Sequence, residues 1–146
     1  GMAHSSVKFG TLTGSEAGLT NAVNNALADA GMTIDDIDAV FGFANGMKAV
    51  DDVEIKGLTA VFGDKLAEKP VVELKEVLGE SRAAAATTAA AHAALMFAGK
   101  IPSQEAYSIA ADGSVSKTNV EASKLNNVLV AAYGAGGSYT AIVLSK

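Results

Sequence analysis

Cysteine and tryptophan are missing from this 146-residue chain, proline occurs twice, and aromatic residues make up only 5%. Without cysteine these residues hold no disulfide framework, no thiolate metal site and no thiol nucleophile. Two histidines, His4 and His92, are too few for a zinc site or a Ser-His-Asp triad, so no metal or other cofactor is expected. Positive charge is scarce as well: 11 Lys and Arg against 16 Asp and Glu leave a net charge of −5. That balance argues against nucleic acid as a partner, because phosphate binding needs a surplus of cations on one face. No run reaches the ~18 apolar residues of a membrane span. The N-terminus has no apolar signal core, and Gly1 before Met2 reads as a tag-cleavage scar. Together these absences predict a soluble, cytoplasmic protein.

What the chain does contain is apolar. Hydrophobic residues make up 49%, charged ones 18%, and the mean hydropathy is +0.27, which excludes intrinsic disorder. The length predicts one compact domain over residues 1–146. Much of the apolar fraction is alanine, so the core is expected to be closely packed helices and thin strands.

Helix and strand patterns alternate along the chain. Residues 6–12 are β-compatible. Ser15 then offers an N-cap, and Leu19, Val23, Ala26, Leu27 and Ala30 recur at helical spacing up to Gly31. The run 39–43 suits a strand buried on both faces, and Asn45-Gly46 signals a turn. A second helix is expected from a cap near Asp51 to Gly63, and a strand over 71–74. The alanine-rich segment 81–98 reads as a central packed helix. Residues 99–124 are weakly patterned and read as a long loop. Two β-compatible runs around Gly134-Ala135-Gly136-Gly137 read as an antiparallel hairpin. The expected architecture is α/β, β-α-β-α-β-α-β-β, with a five-stranded mixed sheet and helices on its faces.

Several residues invite a chemical reading. The glycine-dense turn before 138 is followed by a strand and not by a helix, which favours a hairpin or close ligand approach over phosphate binding. Asp35, Asp36 and Asp38, and Asp51, Asp52 and Glu54, lack calcium-loop spacing and read as solvated or helix-capping acids. His92, alone inside the alanine helix, reads as a packing residue. Lys75, just after an expected strand, stands where α/β sheets place ligand sites.

The order of these segments resembles one family. The stretch 27–40, Leu-Ala-Asp-Ala-Gly-Met-Thr-Ile-Asp-Asp-Ile-Asp-Ala-Val, is similar to the sequence preceding the first active-site histidine of β-ketoacyl synthases, the thiolase-fold condensing enzymes of fatty acid and polyketide synthesis. Asp51, Glu54, Lys56 and Leu58 resemble the acidic helix that follows, ending in Val61-Phe62-Gly63. Residues 71–79 resemble the strand and Lys-x-x-x-Gly-His motif, and Ile101-Pro102 the end of the small-residue helix. Tyr133-Gly134-Ala135-Gly136-Gly137-Ser138 resembles the family's glycine-rich hairpin, which marks Tyr133, Gly134, Gly136, Gly137 and Asn45 as expected pocket or hairpin positions. The resemblance covers most of this chain but only the C-terminal half of the family's fold.

Departures from the motifs decide the functional expectation. By this resemblance Phe43 replaces the first catalytic histidine, Asn45 and Met47 the threonines after it, and Glu80 the second histidine; only Lys75 survives. The family's nucleophilic cysteine belongs to the N-terminal half. A decarboxylative condensation needs a thiolate and donors for the enolate and oxyanion. Phe43 donates nothing, and an ionised Glu80 repels negative charge. The resemblance therefore implies a non-catalytic domain of the chain-length-factor type, inactive alone. It would work in acyl-carrier-protein-dependent fatty acid or polyketide biosynthesis, paired as a homodimer or with a ketosynthase-type partner and possible acyl carrier protein. The rivals are a small acyl-transferase or other enzyme re-using the pocket around Lys75 and Glu80 beside Tyr133 and Tyr139, and a purely structural homodimer.

Overall fold

In the computed structural model, which describes residues 1–5, 14–80 and 85–146, helices lie on both faces of a single mixed sheet. The elements are β1 (Met2–His4), α1 (Glu16–Ala30), β2 (Ala39–Phe41), α2 (Lys48–Phe62), β3 (Val71–Val72), α3 (Lys75–Leu78), α4 (Ala85–Phe97), β4 (Ser103–Ile109), β5 (Val115–Glu121), β6 (Asn127–Gly134) and β7 (Ser138–Ser145). Seven strands pair in the order β1-β7-β6-β2-β3-β4-β5. The α/β class stands; the expected count of five strands does not. The strand expected over 6–12 lies outside the described residues.

Strands β2 and β3 at the middle of the sheet are short, and every residue in them is buried. β2 pairs in parallel with β3 and with β6, and the other neighbours are antiparallel. Side chains alternate across this sheet. Val40, Val71, Leu129 and Ala131 enter the core under α1 and α2, with Leu19, Val23, Leu58 and Phe62. Ala39, Phe41, Val72, Val128 and Val130 enter the core under α4, with Ala89, Ala93 and Met96. The alanine helix is thus a packed layer, as its composition implied, with Ala89, Ala93 and Met96 at spacings of four and three on its sheet face.

Helix α1 follows its end signals. Ser15 Oγ accepts from Gly18 N at 3.3 Å, and Gly31 closes the helix in the left-handed region at φ 65°. The start of α2 lies three residues before Asp51: Met47 is the N-cap, and Asp51 sits in the first turn with Oδ1 accepting from Asn45 N at 3.0 Å. β3 ends at Val72 and not at 74, because the chain turns at Leu74 into the single helical turn α3.

The loop expected over 99–124 is a hairpin. β4 and β5 pair over seven positions, from Ser103 opposite Glu121 to Ile109 opposite Val115. Its turn is built on Asp112-Gly113: Gly113 has φ 81°, Ser114 N donates to Asp112 Oδ1 at 2.9 Å, and Gly113 N donates to Ala110 O at 2.8 Å. Only Ala106, Ile109 and Val120 of this hairpin are buried, so its apolar signal is faint. β1 was also unanticipated. It joins the β7 edge, and the Gly1 amino group donates to Ala141 O at 2.8 Å.

Candidate functional site

Where β2 ends, the chain crosses the top of the sheet before entering α2, and the residues singled out in the sequence converge there. Phe43 is 1% exposed. Its ring lies 5.8 Å from that of Tyr133 at the end of β6, and Tyr133 stacks on Tyr139 of β7 at 5.2 Å. The aromatic row joins the β2–α2 crossing to the glycine-rich hairpin, whose turn is closed by Gly136 and Gly137 at φ 102° and 90° and by Gly137 N donating to Gly134 O. Tyr139 is fully buried, and its hydroxyl accepts a hydrogen bond from Ser15 N. Burial, with the neighbouring Tyr139, raises the Tyr133 phenol above its ordinary range, which keeps it neutral.

Lys75, Glu80 and Asn45 form a polar cluster beside this row. Lys75 Nζ donates to Phe43 O at 2.9 Å and to Glu80 Oε2 at 3.1 Å, and Asn45 Nδ2 donates to the same Glu80 oxygen at 2.8 Å. The Lys75 side chain is 14% exposed and that of Glu80 40%. A small cavity of about 110 Å³ lies against Lys75, between Gly42, Leu78 and Ala89. Lys75 begins α3 and does not directly follow a strand, but the short turn delivers its ammonium to the same place. The cluster spends the lysine's charge on Glu80 and on the Phe43 carbonyl, leaving little positive field for a substrate anion.

A carboxyl pair supports this crossing from beneath. Glu54 is 2% exposed, contrary to its reading as a solvated acid. Its Oε1 accepts from Phe43 N at 2.5 Å and its Oε2 from Ala44 N at 3.1 Å. Glu73, which drew no attention in the sequence, packs against it. The β2–β3 register pairs Phe41 with Val72, and Gly42 N donates to Val72 O at 3.0 Å, so Gly42 and Glu73 fall side by side. A Cβ on Gly42 would lie 2.3 Å from Glu73 Oε1 and 2.7 Å from Glu54 Oε1, so the missing side chain is what makes room for two carboxyls. Burial, then the Glu54 charge, pushes Glu73 well above the usual carboxylate range; burial raises Glu54 too, against the pull of its hydrogen bonds. Held this close and away from water, the two carboxyls oppose being ionised together.

Other candidates stay apart from this site. His92 sits on α4 with its ring 6.1 Å from Phe41, and Nε2 is buried without a partner among the described residues. Desolvation lowers its pKa, so the ring is neutral at pH 7 and packs. Asp38 Oδ2 accepts from Asn126 N and Asn127 N, and Asp36 Oδ2 from Thr33 N: these acids organise loops. Among the described residues no three acidic, histidine or cysteine side chains gather as metal ligands, and no helix is long and apolar enough to cross a membrane.

The family signature described as beta-ketoacyl synthase, C-terminal domain, matches residues 1–107. The chain belongs to that family. β-Ketoacyl synthase relatives called putative polyketide beta-ketoacyl synthase 2 are 31% identical over 134 residues in Streptomyces coelicolor and 29% in Streptomyces halstedii. Both alignments cover 90% of this chain and 32% of the relative, so the chain spans about a third of their length. Among solved structures, the ishigamide ketosynthase/chain length factor superposes with a TM-score of 0.82 at 23% identity, over all of this chain and 36% of that one. A type II polyketide ketosynthase in complex with its acyl-carrier protein gives 0.74 at 17% identity, over 99% of this chain and 37% of that one. The fold of this β-ketoacyl synthase C-terminal half is thiolase-like.

Proposed function

We propose that this β-ketoacyl synthase C-terminal half, residues 1–146 acting as one domain, is a non-condensing, chain-length-factor-like component of acyl-carrier-protein-dependent polyketide or fatty acid biosynthesis. Its work is to complete and shape the pocket of a ketosynthase-type partner. The observation that carries the reading is the state of Phe43 and Glu80. At the positions that correspond to the family's two catalytic histidines stand a buried ring without a donor and a carboxylate already bonded to Lys75 and Asn45. An enolate or oxyanion there would meet no donor from either residue and would be repelled by the second.

Exposed apolar side chains beside the cluster support assembly. Met47, Val77 and Leu78 are 43%, 73% and 58% exposed, and Leu78 borders the cavity at Lys75. Large apolar groups left in solvent around a site are what a protein partner covers. The printed relatives favour a polyketide setting: both curated ones carry the word polyketide, and one structural neighbour is a ketosynthase/chain length factor.

The test is condensation of an acyl thioester with a malonyl thioester, followed as β-ketoacyl product, for the chain alone and co-purified with a cysteine-bearing ketosynthase. The chain alone should match buffer, and the pair should lose condensation when the partner's cysteine, which carries the acyl chain, is replaced. Condensation by the isolated chain would overturn the proposal and favour the rival enzyme reading at Lys75 and Glu80.

A further inference from the structure

The sheet ends on β5, which has β4 on one side and, among the described residues, no strand on the other. Which backbone groups it turns outward follows from the ladder. Ala110 N donates to Ser114 O and Ala122 N to Pro102 O, both at 2.9 Å. Between them Ser116 faces Ser108, Thr118 faces Ala106 and Val120 faces Gln104. Hydrogen-bonded pairs alternate along an antiparallel ladder, so these even-numbered residues bond β4. Val115, Lys117, Asn119 and Glu121 therefore turn their N–H and C=O groups away from the sheet, and all four residues are exposed. Those groups have no backbone partner among the described residues. Natural sheets blunt such edges with proline, a bulge, an inward-pointing charge or a very short strand. β1, at the opposite edge, has three residues. β5 has seven, without proline, and faces β4 residue for residue without a bulge.

This open edge is complementary to itself. We propose that β5 pairs antiparallel with β5 of a second copy of this chain, about a two-fold axis at Thr118. Outward residues must face outward residues, which leaves few registers. Centred on Thr118, Val115 faces Glu121 of the second copy and Lys117 faces Asn119. All four outward residues of each strand are then used, with about eight backbone hydrogen bonds. Lys117 lies diagonal to Glu121 of the second copy, within reach of a long side chain, and Glu121 has no ion pair of its own among the described residues. The two Lys117 side chains are diagonal to each other too, each neutralised by its own Glu105 at 2.8 Å. Centring on Lys117 would set two lysines face to face and leave Glu121 unused, and centring on Asn119 would leave Val115 unused. The opposite face brings no charge: Thr118 meets its own copy, and Ser116 meets Val120. Met47, Val77 and Leu78 stand at the start of α2 and on α3, so this pairing does not depend on the function proposed above.

Strand pairing alone buries little area and belongs to the weak, transient class of interfaces, so the dimer forms as concentration rises. The experiment is sedimentation of the whole chain from micromolar to millimolar concentration, with amide hydrogen exchange at both ends of the series. A monomer–dimer equilibrium is expected. The Val115, Lys117, Asn119 and Glu121 amides should slow at high concentration, while those of Ser116, Thr118 and Val120, already bonded to β4, should barely change. Asn119→Pro deletes an N–H that the chain itself does not use. It should raise the dissociation constant by about tenfold or more, because the two-fold axis removes the bond twice. Thr118→Lys keeps every backbone bond and sets two like charges face to face, so it should weaken the dimer as well. A chain monomeric throughout, a dimer whose outward amides stay unprotected, or a dimer indifferent to both substitutions overturns the proposal.

Discussion

Glu54 and Glu73 contribute to the molecule's pH response. Both are raised, so folding favours their protonated forms. Their contribution is complete below the ordinary glutamate range and is lost as pH rises through the folded values. Thermal unfolding followed across mildly acidic to mildly basic pH should show a falling midpoint, and Glu73→Gln should flatten that slope. A slope unchanged in the variant would show that other groups carry it. His92 acts at the other end: its lowered pKa means that stability falls as pH drops through the histidine range, because the buried ring must charge. Close approach sets a further residue-scale constraint. A Cβ on Gly18 would lie 2.4 Å from Tyr139 Cε2, inside a fully buried ring's space. Gly18→Ala should cost about 1–3 kcal/mol in denaturant unfolding, the ordinary penalty of overpacking a core.

Elements differ in how openly their sequences announce them. α1 was legible from Ser15, Gly31 and a helical apolar spacing, because its cap and stop signals are local and one face alone is buried. β6 and β7 were legible because both runs are apolar and a glycine-rich turn joins them. The β4–β5 hairpin was not, since three buried residues in fourteen strand positions give no apolar alternation to read. Its one local sign was Asp112-Gly113. Gly113→Ala places a Cβ at φ 81° and should cost about 1–2 kcal/mol, with faster amide exchange confined to β4 and β5. Uniform loss of protection across the sheet would contradict that local reading. The carboxyl pair was hidden for another reason. Glu54 and Glu73 are nineteen residues apart, and only the parallel β2–β3 register together with the bare Cα of Gly42 brings them together. An acid within an acid-rich helix start looks solvated until the chain folds over it.

At the scale of the whole molecule, two cores flank one sheet, and Phe43, Lys75, Glu80, Asn45 and Tyr133 gather at the end where β2 meets α2. The convergence of residues spread over ninety positions was legible only through the family resemblance, which orders the motifs along the fold. That the Phe43 side chain offers no hydrogen-bond donor is plain from its residue type. Leu129, fully buried in the core under α1 and α2, measures how far that architecture is cooperative: Leu129→Ala should cost about 2–5 kcal/mol with a single transition by two probes. The exposed apolar side chains around the cluster, Met47, Val77 and Leu78, are the basis for the proposed pairing with a ketosynthase-type partner. The most direct test is light scattering after size exclusion, on this chain co-expressed with a cysteine-bearing ketosynthase. A stable heteromer, weakened when Val77 and Leu78 are replaced by glutamate, is the predicted result. Separate elution of the two proteins, with this chain monomeric or bound only to itself, would contradict it.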